Sequence, residues 1–303
     1  MTGGPAPGYV WTCPAPAWDN MFRNLLDAAG LAARAARAET ILIKPNLVNA
    51  HEPPVTTPVG LVAALVRYLR RVTGARILIG EGTAAAEHDT WQVFESLGYD
   101  ELAQSEKIEL IDLNSEESLA LTRPDCRRWP DMHLPAIALE SFLISVPVLK
   151  AHTLAGVTLS LKNMMGLAPP AHYQQGSGWK KAAFHHRIHE AIADLNRYRL
   201  PDFTLLDASV GMAESHLWGA TCQPPVGLLA AGSDPVAIDA WGCGMLDKNW
   251  QEIGHINMLH GELGQAEPLQ VVPLGPQVSQ RSPRKTMTYR ECGMTTSKTP
   301  RTD

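Results

Sequence analysis

Short apolar runs in this chain keep ending in residues that can hold or move charge. Ile41–Ile43 leads into Lys44 and Asn46, and Ile77–Ile79 leads into Glu81. Phe142–Leu149 leads into Lys150 and His152, Phe203–Leu206 into Asp207, and Val226–Ala231 into Ser233 and Asp234. Lys162 and Asn163 lie in a stretch bounded by Gly156 and Gly166, with the hydroxyls of Thr158 and Ser160 beside them. Amines set against buried strands are costly unless something negative pairs with them. The pattern therefore points to a small ligand carrying a carboxylate or phosphate.

Each group suggests a role. Pro45 removes a ladder donor and ends the first run, which frees Lys44 and Asn46 to face a ligand. Glu81 stands between Gly80 and Gly82, where backbone can approach a ligand closely. It fits a general base, a metal ligand or the partner of Lys44. Lys150 and His152 are two residues apart, so an extended segment puts both on one face. Histidine is the usual acid or base near neutral pH. Lys162 fits an electrostatic clamp, or a covalent nucleophile if its pKa is depressed. Asn163, Asp207, Ser233 and Asp234 complete the substrate-binding candidates. His185 and His189, four apart in a helical pattern, form a weak metal candidate that His152 and Glu81 extend.

The elements that must position these residues are readable from periodicity. Residues 20–37 carry apolar positions at helical spacing, and a second helix starts at Thr57-Pro58 with Thr57 as its cap. Asp89 caps a short helix carrying Trp91, Val93 and Phe94, and residues 185–198 read as another. Runs at 41–43, 77–79, 108–113, 142–149, 203–206 and 226–231 read as buried strands. Strand, helix and strand over 41–80 make a right-handed βαβ unit. The fold class is α/β: a mostly parallel open sheet with helices on both faces and small irregular insertions at 114–140 or 153–183. Residues 1–19 read as an irregular segment, 20–272 as one α/β domain, and 273–303 as a low-hydrophobicity, disordered tail. In an open parallel sheet the carboxyl ends of the strands share one edge, and ligands bind in the crevice there.

Bulk properties narrow the function. A net charge of −5 argues against a general nucleic-acid binder. Five cysteines, an odd number without a CxxC pair, argue against a ferredoxin-like cluster repeat and a disulfide framework. No signal peptide and no apolar span long enough for a bilayer is readable, so the expected setting is cytoplasmic and away from membranes. Oligomeric state is not readable.

The phrases ILIKPNL, TTPVGLVAALVRYLR, ILIGEG, SVPVLKAHTLAGVTLSLKNMMG and GSDPVAIDA resemble the DUF 362 family over about residues 39 to 245. Some members of that family carry ferredoxin-type cysteine motifs, which this chain lacks. A more distant similarity is to the nickel-pincer lactate racemases. Their catalytic phrase has a histidine, an Ala-Gly pair and a lysine ten residues after the histidine. His152, Ala155-Gly156 and Lys162 keep that arrangement. The resemblance implies His152 as an acid/base at a hydroxy-acid carbon and Lys162 as anchor of a pincer cofactor, or as an anion clamp. Two departures stand out. An Asp-Arg pair is replaced by Lys44-Pro45-Asn46, and a second catalytic histidine is replaced by Glu81. His152 with Glu81 is then the proton-handling pair.

The leading expectation is an enzyme that moves a proton, or epimerises a centre, next to an anionic group. Lys44, Lys150 and Lys162 would hold the anion, and the cofactor is unknown, either a metal ion or a pincer-like group. The rivals are a non-catalytic metal or metallocofactor carrier and a binding module for an anionic metabolite.

Overall fold

The computed structural model describes residues 8–16 and 20–275. Twelve strands are formed among them: β1 (Tyr9–Pro14), β2 (Thr40–Pro45), β3 (Arg76–Glu81), β4 (Glu109–Asp112), β5 (Ser118–Thr122), β6 (Asp131–Pro135), β7 (Phe142–Val146), β8 (Val148–His152), β9 (Gly156–Thr158), β10 (Phe203–Met212), β11 (Leu228–Gly232) and β12 (Gln270–Pro273). Ten of them build one sheet in the order β12-β1-β11-β10-β7-β2-β3-β4, with β8 paired to β10 and β9; β5 and β6 form a separate hairpin.

The sheet is mostly parallel, as its uninterrupted Val/Ile/Leu runs require. β2 pairs in parallel with β3 and β7, β3 with β4, and β10 with β7. Neighbouring residues of one strand serve opposite faces. Leu42 and Leu78 belong to the core that also takes in the helices Ile188–Tyr198, Pro235–Met245 and Gly254–Leu259. Ile41, Ile43 and Ile79 pack against Asn20–Ala28, Val59–Val72, Thr90–Ser96 and Tyr99–Glu106. Helices therefore cover both faces, and the chain is an α/β protein.

Several local expectations change. Tyr9–Pro14, expected to be irregular, is a strand near the middle of one half of the sheet, antiparallel to β11 and parallel to β12. Its Pro-rich flanks hide four buried positions, 10 to 13. The helix expected over 20–37 breaks at Gly30, whose φ of 80° lies in the left-handed region. Pro147 splits the run 142–149 into β7 and β8, because proline cannot donate to a ladder. Thr57 does not cap the following helix. Its hydroxyl donates to the Val146 carbonyl at 2.7 Å and accepts from the Asn46 amide at 2.8 Å, tying β2 to β7. The capping box at Asp89 and Gln92 does form. The tail expectation beyond residue 275 lies outside the described residues, as do 1–7 and 17–19.

Candidate functional site

β2, β3 and β7 run in one direction, so their carboxyl ends meet at one edge of the sheet. There a cavity of about 60 Å³ is lined by Lys44, Asn46, Glu81, Lys150, Thr158, Lys162, Asn163, Lys181 and His216, among others. Four amines thus face a single carboxylate, Glu81.

Three of the four amines are held by acceptors. Lys44 Nζ lies 2.7 Å from Glu81 Oε1, and it donates to the Pro45 carbonyl at 3.0 Å and to Asn163 Oδ1 at 3.2 Å. Glu81 also accepts from the Leu47 amide at 2.9 Å and the Gly82 amide at 2.8 Å. Lys150 Nζ donates to the Val55 carbonyl at 2.6 Å. Lys181 Nζ donates to Asn114 Oδ1 and the Ala168 carbonyl. Lys162 Nζ has no hydrogen bond or ion pair to any described residue. Burial lowers the pKa of all four. Lys162 falls to about 8, with Lys44 adding to the effect, and Lys181 falls to about 7 against the opposing pull of Glu81. Lys150 lies well below its ordinary value through burial first and Lys162 next; Lys44 is lowered despite Glu81.

Backbone must come close for these side chains to meet. A Cβ on Gly166 would stand 2.6 Å from Lys44 Nζ, and one on Gly82 would stand 2.7 Å from Asn114 Oδ1. Only hydrogen fits at either place, since contacts this short force something to shift.

Other polar atoms around the cavity are buried and unpaired. Asn46 Oδ1, Thr158 Oγ1 and His216 Nδ1 have no hydrogen-bond partner. The orientation of Asn46 is fixed, because its Nδ2 donates to Asn163 Oδ1 at 3.1 Å. Asn163 Nδ2 in turn donates to the Lys44 carbonyl and Ser145 Oγ. His152 stacks on His216 with ring centroids 3.9 Å apart. Its Nδ1 accepts from the Leu154 amide at 3.1 Å and the Ala155 amide at 3.0 Å, so its neutral ring carries the proton on Nε2. Burial, Lys162 and His216 hold its pKa far below the ordinary value. Burial and then Lys162 bring His216 to about 3.

Residues 41–244 match the family described as "Domain of unknown function (DUF362)". The chain belongs to the DUF362 family. A curated relative, the thylakoid-associated protein sll1697 of Synechocystis sp. (strain ATCC 27184 / PCC 6803 / Kazusa), is 26% identical over 232 residues. The aligned part covers 72% of this chain and 66% of the relative, just under two thirds of its length. Among the described residues, no helix is long and apolar enough to cross a membrane.

The DUF362 match contains every cavity residue named above. It also contains one carboxylate that the reading of strand ends passed over. Asp239, on the helix Pro235–Met245, accepts from the Ser160 amide at 2.7 Å and the Leu161 amide at 3.0 Å. It thereby caps the short helix Ser160–Asn163 and aims Lys162 and Asn163. Burial pushes its pKa up to about 8 against those two donors. Replacing it with alanine strands two buried N–H groups, and Asp239→Ala should cost about 2–4 kcal/mol in urea unfolding. Asp239→Asn should cost less, because one oxygen remains. Equal costs for the two would refute the capping account.

Not every expected residue joins the cluster. Ser233 and Asp234 do not, because β11 runs antiparallel to β10 and ends at the other edge. There Asp234 accepts from the amides of Gly8, Ala237 and Gln265, stitching the chain's first strand to its last segments. Asp207 does not line the cavity. It lies midway along β10, which is longer than expected, and accepts from the Ser209 amide at 2.8 Å. His185 and His189 share no helix. Arg187 takes a φ of 52°, which leaves His185 in a 3-10 turn and starts the helix at Ile188. His189 Nδ1 instead meets His255 Nδ1 at 3.1 Å. Among the described residues, no group of three or more His, Cys, Asp or Glu gathers as a metal site.

Two cavity residues had no signal in the chain. Lys181 arrives because the Lys180 amide bonds the Ala84 carbonyl at 2.9 Å, beside a bridge between Ala85 and Trp179. His216 arrives through the loop after β10. Both depend on contacts between distant segments that carry no periodicity.

Proposed function

We propose that this chain binds a small anion, a carboxylate or phosphate that also bears a hydroxyl, at the lysine-lined cavity. The supporting observation is the set of unpaired polar atoms there. Asn46 Oδ1, Thr158 Oγ1 and His216 Nδ1 are buried there without partners, and the partly exposed Lys162 has no acceptor among the described residues. Buried polar groups are nearly always satisfied. An anion would supply what Lys162 needs, and a hydroxyl would supply what Asn46 Oδ1 needs.

The reaction favoured is proton transfer at the carbon next to the anionic group. Clustered ammonium groups stabilise the enolate or oxyanion that forms there. The spacing of His152, Ala155-Gly156 and Lys162 supports the same reading through its likeness to the racemases. His152 does not line the cavity but stacks on His216, which does, and in this reading its Nε2–H would be the proton donor, with Glu81 committed to Lys44. A pincer cofactor does not fit: the cavity is about 60 Å³, whereas pockets for larger organic ligands hold roughly 300–1,000 Å³. The buried thiols of Cys126 and Cys243 support a reducing compartment such as the cytoplasm.

Calorimetric titration with lactate and with inorganic phosphate tests the binding. One of the two should bind, and Lys162→Met should weaken it by about tenfold or more, the worth of one charge-assisted hydrogen bond. Affinity should fall as pH rises through about 8, where Lys162 loses its charge. Binding of neither probe, or binding indifferent to Lys162, would contradict the reading.

A further inference from the structure

The four cavity amines are not equivalent. Lys44, Lys150 and Lys181 are each locked as donors to a carboxylate, amide or carbonyl oxygen. Each such acceptor orients the nitrogen and favours its protonated form, which suits these three amines to holding an anion. Lys162 has no such commitment, and the Asp239 cap fixes the helix that carries it. Its surroundings are cationic, with Lys44 adding to the burial that favours the neutral amine. A desolvated lysine beside other cations is how proteins make an amine nucleophilic near neutral pH.

We infer that Lys162 is a carbonyl-capturing amine, and that the site takes a small 2-oxo acid and joins it through an imine. This rests on the anion-binding reading above and names the substrate class of the same site. The incoming carboxylate supplies the counter-charge that Lys150 and Lys181 lack and so draws protons onto these two oriented donors, with the carbonyl carbon facing Lys162. The neutral amine attacks that carbon. The C–N bond forms as the C–O π pair moves to oxygen, which takes a proton and gives a carbinolamine. Asn46 Oδ1 and Thr158 Oγ1 are the unpaired acceptors available to its hydroxyl. The nitrogen lone pair then forms the C=N bond, the C–O bond breaks, and the hydroxyl leaves with a proton as water. The net change is amine plus carbonyl plus one proton giving iminium plus one water, with no oxidant or reductant. The resulting iminium withdraws electrons from the neighbouring carbons, which is what proton removal there needs.

The test uses the full chain with pyruvate, in the presence and absence of cyanoborohydride, read by intact mass and peptide mapping. Lactate, which has the carboxylate but no carbonyl, is the parallel probe in a thermal-shift assay. The expected result is stabilisation by both acids and, with reductant, a mass gain equal to pyruvic acid less one oxygen, mapped to Lys162. At pH 7.5 an amine of pKa about 8 has a neutral fraction on the order of a hundredfold larger than an ordinary lysine at 10.5. Lys162 should therefore be labelled well before the surface lysines, and Lys162→Arg should abolish that early label. Stabilisation by both acids with labelling spread over surface lysines would overturn the imine and leave anion binding standing. No stabilisation by either acid, together with no label at Lys162, would overturn the imine, and the anion-binding reading would fall with it if inorganic phosphate also failed to bind.

Discussion

Glu81→Gln should lower the stability of the chain by about 3–5 kcal/mol in urea unfolding, the usual cost of removing one partner from a buried ion pair. The carboxylate is 2% exposed, with three donors on it: Lys44 Nζ, the Leu47 amide and the Gly82 amide. Glutamine keeps one acceptor oxygen but turns an NH2 towards a donor. It also leaves the Lys44 ammonium without its counter-charge. Total stability of a domain is about 5–15 kcal/mol, so the change is a large share of it. The double replacement Lys44→Met with Glu81→Gln should recover much of the loss, because no charge is then stranded. A cost below about 1 kcal/mol for Glu81→Gln would show that the pair is not ionic in the folded chain.

Raising the pH from about 7.5 to 9 should make the ligand-free protein more stable by about 2 kcal/mol. The sign follows from Lys162 and Lys181, whose folded pKa values of about 8 and 7 lie below the ordinary 10.5. Across that window the unfolded chain holds their protons while the folded chain gives them up. The unfolded state then binds more protons, and stability rises with pH. Asp239, whose folded pKa of about 8 lies above its ordinary value, opposes part of the rise within the same window, and above about pH 9 the buried thiols of Cys126 and Cys243, with raised pKa values, add to the opposition. Lys162→Met should be more stable than the parent at pH 7.5 and should show a shallower rise above pH 8. Saturating lactate should flatten the parent's profile, since a bound carboxylate restores the reason for Lys162 to stay charged. Urea midpoints measured every half pH unit decide it. An unaltered slope in Lys162→Met would mean that its amine is solvated.

What could be read from the chain followed from local rules. The apolar runs of β2, β3 and β7 announce buried parallel strands, and parallelism alone forces Lys44, Glu81 and Lys150 to one edge. The same rule misplaced Ser233 and Asp234. Nothing in Leu228–Gly232 distinguishes a parallel strand from an antiparallel one; direction is set by the connection, not by composition. β1 was hidden by its proline-rich flanks. Lys181 and His216 needed loop conformations, and Asp239 needed a helix-to-helix contact some 79 positions apart. The helical spacing of His185 and His189 was real, but one residue, Arg187, in a left-handed turn was enough to separate them.

The place of β1 has a consequence for how the chain is made. Trp11 sits opposite Ala231 in the finished sheet, so an early strand finds its main partner only about 220 residues later. While the ribosome is still working, Tyr9–Pro14 has no ladder to join, and its edge is open to other nascent chains. Biogenesis of this protein should therefore lean on chaperones that shield Tyr9–Pro14 until Leu228–Gly232 has been made.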